Sequence, residues 1–93
     1  MGGCRVITVK IKEELIRIET VEYELFIFIA DLLKRMERKH PEQLELVKVD
    51  ENHRTILFMS SSYLAANISR ILMEEEQYRH DNEREGTVKV ERL

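Results

Sequence analysis

Four side chains in this sequence could hold a transition metal: Cys4, His40, His53 and His80. A zinc site draws its ligands from spacings such as Cys-x-x-Cys or His-x-x-x-His, and no two of these residues stand so. The expectation is three solvated histidines, no metal and no cofactor. A nucleophile is equally hard to place. Ser60, Ser61 and Ser62 lack a Gly-x-Ser-x-Gly frame and precede an apolar helical stripe, where serine serves as a cap. Cys4 lies near the terminus with only Arg5 beside it, whereas a reactive thiolate needs a fixed electropositive site. The three glycines, Gly2, Gly3 and Gly86, draw no phosphate-cradling loop. Glu74-Glu75-Glu76 is the densest carboxylate run, but consecutive helical residues point apart. Glu75 can meet Arg79 and Glu76 can meet His80, four residues on, as solvated ion pairs. These residues point to binding rather than to catalysis.

Two surfaces could bind. The first is apolar. Tyr23, Ile27 and Ala30 recur at i, i+4 and i+7 on the side of a helix opposite its core stripe, with Phe28 at the stripe's edge. A helix apolar on two sides is covered on two sides. A later helix carries a milder version in Ala66, Ser69 and Met73, small or flexible groups that a neighbour can approach. Tyr23, Ile27, Phe28, Ala30, Ala66 and Met73 are therefore the expected interface with a protein partner, in a homodimer or a heterodimer. The second surface is basic. Lys34, Arg35, Arg38 and Lys39, extended by Arg54, could meet nucleic-acid phosphates. The same cluster already suits the negative end of its own helix, and that dipole opposes an anion. An RNA-reading sheet would show aromatics on its central strands, and Phe58 stands alone there. Nucleic acid is thus the alternative partner.

The elements that position these groups follow from periodicity. Residues 5–11 and 15–20 are β-branched and roughly alternating; they form either two strands or one long bent one. From Val21 the period changes. Val21, Leu25, Ile29, Leu32, Leu33 and Met36 recur at helical spacing, with Thr20 as expected N-cap and Pro41 as the stop. Residues 44–49 and 54–59 read as strands around the polar turn Asp50-Glu51-Asn52-His53. The three serines then offer caps to a second helix whose stripe is Leu64, Ala65, Ile68, Ile71, Leu72 and Tyr78. A charged segment, 79–86, ends at Gly86, and residues 87–90 read as a short last strand. The order β(β)αββαβ predicts an α+β fold: a ferredoxin-like antiparallel sheet with both helices on one face.

Size and charge bound these readings. The chain has 93 residues, one domain's worth, with residues 1–4 expected to be disordered. A domain this small buries only about 60–65 % of its unfolded surface, so an oligomer would add useful stability. Net charge is −3, so a nucleic-acid role would rest on a local patch. A single cysteine permits no internal disulfide and fits a reducing compartment. The longest strictly apolar run, 25–30, is too short to span a bilayer, and the chain is expected in the cytoplasm.

Residues 15–78 resemble the small dimerisation subunit of the KEOPS tRNA-modification complex. Ser62-Tyr63-Leu64 stands where that family starts its second helix with an Asn-Ser-Tyr-Leu-like run, after a strand that 55–59 matches in position. The family's Asp before this helix and Arg in its first turn are missing; Ser60 and Ser61 occupy the stretch. The resemblance implies a non-catalytic subunit that pairs through its sheet or helices and binds the catalytic subunit of the complex. It carries over no binding residue.

Overall fold

The computed structural model describes residues 12–83 and 86–93. The sequence reading of residues 5–11 as a strand, the expected disorder of 1–4, and Cys4 lie outside the described residues.

Six elements follow one another: β1 (Glu14–Thr20), α1 (Tyr23–Lys39), β2 (Leu44–Asp50), β3 (Thr55–Ser60), α2 (Ser62–Asp81) and β4 (Val88–Arg92). The strands form one antiparallel sheet in the order β2-β3-β1-β4. Each helix carries the chain over a strand it skips, which interleaves two βαβ units and gives the ferredoxin-like α+β layout.

Alternation along the strands decides which face the helices cover. Ile16 and Ile18 of β1 stand opposite Phe58 and Ile56 of β3, and all four are buried. They meet Leu25, Phe26, Ile29 and Leu33 of α1 and Leu64, Ala65, Ile68 and Leu72 of α2 in one cluster. Both helices therefore lie on that face. Burial of each such side chain contributes roughly 1.5–3 kcal/mol.

The ends of α1 differ from expectation at one side only. The helix starts at Tyr23, and its N-cap is Glu22, which makes no side-chain bond to the helix. Thr20 instead ends β1, and its hydroxyl donates to the Glu22 carbonyl at 3.4 Å. Val21 is 69 % exposed, outside the core stripe. The reason is geometric: β1 continues through Thr20, so two residues are spent turning away from the sheet. At the other end, His40 caps the helix and its N–H donates to the Met36 carbonyl at 2.8 Å, one residue before Pro41. A proline stops the helix because it disfavours helical backbone in the residue before it.

The three serines do separate jobs. Ser61 is the N-cap of α2, and its Oγ accepts from the Leu64 N–H at 3.1 Å. It also donates to Gln43 Oε1 at 3.1 Å. Ser60 is fully buried and donates to the Ser61 carbonyl at 2.9 Å. Ser62 is exposed and donates to Glu13 at 2.8 Å.

The helix α2 runs into the charged segment 79–86 and continues to Asp81. Tyr78, expected in its apolar stripe, is 56 % exposed, and Arg79 is buried in its place. The Arg79 Nε donates to Glu75 at 2.9 Å, so the guanidinium is paired while its stem packs against Gly86. Glu76 does not take His80; it accepts the Val88 N–H at 3.0 Å.

Candidate functional site

The last two turns of α1 and the first two of α2 present complementary strips. Leu32, Met36 and Lys39 recur at i, i+4 and i+7 on α1, with Arg35 and Arg38 beside them. On α2, Leu64, Asn67 and Ile71 recur at i, i+3 and i+7, flanked by Tyr63 and Arg70. Between the strips runs a groove of about 950 Å³, which His40 and Gln43 also line. Its floor is aliphatic, from Leu32, Met36, Leu64 and Ile71. Its rim carries Arg35, Arg38, Lys39 and Arg70, and no carboxylate lines it.

The rim cations are held loosely. Arg35 pairs with Asp31 at 3.4 Å and Arg70 with Glu74 at 3.6 Å, both exposed pairs one helical turn apart. Such pairs contribute about 0.3–0.5 kcal/mol and give way readily to a better acceptor. Among the described residues, Arg38 and Lys39 have no ion-pair partner. Tyr63, 75 % exposed, stands at the mouth. In a chain of net charge −3, this is a local cationic surface over an apolar floor.

The structure sorts the expected residues. Arg35, Arg38 and Lys39 of the basic cluster meet in the groove, while Lys34 is exposed and does not line it. Arg54 belongs elsewhere. It sits in the β2–β3 turn with φ of 49°, and its carbonyl accepts the Thr20 N–H at 3.1 Å. Tyr23, at the start of α1, donates to Glu51 of that same turn at 2.7 Å. The turn is thus at the far end of a 17-residue helix from Lys39, a span of about 24 Å. Arg54 cannot extend the patch.

The apolar side expected on α1 is thinner than its spacing implies. Ala30 is 5 % exposed and joins the core. Phe28 is partly buried against that core. The Tyr23 ring stacks on Phe26 with centroids 6.4 Å apart, and its hydroxyl is held by Glu51, which raises the pKa of the phenol. Tyr23, 47 % exposed, and Ile27, 43 % exposed, are what remain. On α2 the expectation fares differently: Ala66 and Met73 are exposed, and both lie beside Ser69 and Arg92 of β4.

Arg70, Tyr63 and Asn67 were not singled out from the sequence as binding residues. Their spacing on α2 was visible; the rotation of α2 that turns them toward α1 was not. Elsewhere, His53 bonds Asp50 at 2.9 Å and lowers the pKa of its carboxyl. Among the described residues no three of His, Cys, Asp and Glu gather as a metal site, and no helix is long and apolar enough to cross a membrane. Comparison of the chain with protein-family models, with curated proteins and with solved structures finds no match.

Proposed function

We propose that this protein is a small, non-catalytic interaction subunit that takes an acidic, amphipathic segment of a protein partner into the α1/α2 groove. The observation that supports this reading is the groove's composition: Arg35, Arg38, Lys39 and Arg70 above an aliphatic floor. Guanidinium groups grip carboxylates in a bidentate fork. Leu32, Met36, Leu64 and Ile71 match the apolar anchors that a docked helix offers at i, i+4 and i+7. The groups on the rim are donors that hold a partner, and three of the four are arginines, which do not give up a proton near neutral pH. The resemblance of Ser62-Tyr63-Leu64 to the KEOPS subunit is what favours a tRNA-modifying assembly in the cytoplasm as the setting.

Nucleic acid is the second reading, favoured by the same cations and by Tyr63, a ring exposed for stacking. Against it stand the chain's net charge of −3 and the Glu74-Glu75-Glu76 run on α2 beyond the groove, which would repel an extended polyanion.

The test is fluorescence anisotropy with two labelled probes of equal charge. One is a helical peptide with leucine at i, i+4 and i+7 and glutamate between. The other is a single-stranded RNA. The proposal expects the peptide to bind with a shallow salt dependence and Arg38→Glu to weaken it about ten-fold. RNA bound in preference, with affinity falling steeply with salt, would establish the second reading. Binding of neither probe, or peptide binding indifferent to Arg38→Glu, would overturn the role of the groove.

A further inference from the structure

A sheet edge leaves backbone N–H and C=O groups that another strand can take, and the two edges of this sheet are protected unequally. On β2 the register shifts between Leu46 and Lys48. Glu37 of α1 also accepts the Leu46 N–H, at 2.8 Å. A bulge and a blocked amide both discourage a further strand. β4 pairs with β1 without a register shift. One of its amides, that of Val88, is taken by Glu76 at 3.0 Å. Alternation fixes the direction of the others. The Leu93 N–H donates to the Leu15 carbonyl of β1 at 2.8 Å, so Val88, Val90 and Arg92 turn their N–H and C=O groups outward. Glu76 meets Val88 from that outer side.

We infer that β4 is a docking edge for a second copy of this chain, paired antiparallel across a two-fold axis through Val90. The argument is one of charge and register. In Val88-Lys89-Val90-Glu91-Arg92, an axis at Lys89 sets lysine against lysine, and an axis at Glu91 sets glutamate against glutamate. Like charges directly opposite each other on a sheet repel. An axis at Val88 or Arg92 leaves most of the strand unpaired. The axis at Val90 brings Lys89 of each copy against Glu91 of the other, twice, and Val90 against Val90. It also fits the hydrogen bonds. The outward Val90 N–H meets the Val90 carbonyl of the other copy, and the outward Arg92 N–H meets the Val88 carbonyl. The Val88 N–H keeps its bond to Glu76.

The surface beside the strand suits the same partner. Val90 is 39 % and Met73 70 % exposed. Together with Ser69 they line a trough of about 490 Å³ between α2 and β4. The two-fold brings the troughs of both copies together, and two methionines can repack across such a seam. An isologous contact of this kind closes on itself as a dimer. It uses the α2 flank facing β4, so it does not depend on what occupies the α1/α2 groove.

Sedimentation equilibrium of the full chain tests the proposal. The expected result is a dimer at sub-millimolar concentration. Val90→Pro removes an amide that β1 does not use and should abolish the dimer with the circular dichroism unchanged. Lys89→Glu should raise the dimer dissociation constant about ten-fold. Lys89→Glu also faces Glu19 and Glu91→Lys also faces Arg17 across β1 and β4, so circular dichroism must first show each chain folded; mixing the two should then restore a heterodimer, since each copy faces opposite charge. A chain that stays monomeric toward millimolar concentration overturns the proposal, as does a dimer indifferent to both Val90→Pro and Lys89→Glu. Should Val90→Pro fail to fold, amide exchange in the wild type decides. Exchange at Val90 that slows with protein concentration supports the pairing, and rapid exchange at every concentration refutes it.

Discussion

Replacing Ser61 by alanine separates the structural work of the three adjacent serines. Ser61 Oγ accepts the Leu64 N–H at 3.1 Å and donates to Gln43 Oε1 at 3.1 Å, in a residue 9 % exposed. Loss of an N-cap oxygen costs about 0.5–2 kcal/mol, typically about 1. Gln43 is half-buried, so water can replace its lost donor and adds little. The expected destabilisation is therefore about 1–2 kcal/mol. In a domain of this size each kcal/mol lowers the melting temperature by roughly 4–8 °C. Ser62→Ala is the control, because its exposed bond to Glu13 spans two solvated side chains and contributes within about 0.5 kcal/mol. Urea unfolding followed by circular dichroism measures both, with the slope m unchanged if only stability moves. Equal effects of the two substitutions would refute the assignment of Ser61 as the cap. So would a Ser61→Ala protein as stable as the wild type. The result also bears on the groove, since the cap sets where Tyr63 and Leu64 begin the helix that forms one wall.

Two further outcomes follow from contacts away from the groove. A methyl group added at Gly86 would stand 2.5 Å from the Arg79 Cδ, so Gly86→Ala should force that buried side chain aside and cost about 1–3 kcal/mol, read by thermal melting. Arg17 bonds Glu91 across β1 and β4 and holds that carboxyl below its ordinary pKa of 4.5. The folded state thus binds fewer protons than the unfolded chain there, so this pair's stabilisation is present above pH 4.5 and fades as the pH falls through the lowered value. Arg17→Ala should raise the Glu91 titration, followed by carboxyl NMR, toward its ordinary value and flatten that part of the acid-side stability curve.

Much of this architecture was legible in the sequence because its causes are local. Alternating β-branched residues make strands, and the 3.6-residue period of Leu25, Ile29 and Leu33 makes a helix, whatever lies beyond them. Pro41 ends that helix through its own ring, and a serine before an apolar stripe caps the next. The element order then left few antiparallel arrangements that bury one face. What the sequence could not determine is which exposed groups share a surface. Ala30 and Ile27 differ by three residues on one helix, yet α1 packs with a rotation that buries the first and leaves the second out. Lys39 and Arg54 lie closer in the chain than Lys39 and Arg70. The extended strand β2 nevertheless carries Arg54 to the far end of α1, while the return of the chain through β3 brings Arg70 alongside. The groove and the β4 edge exist only after helices and strands are set against one another, because distance along the chain and distance in space become independent once the chain turns back on itself.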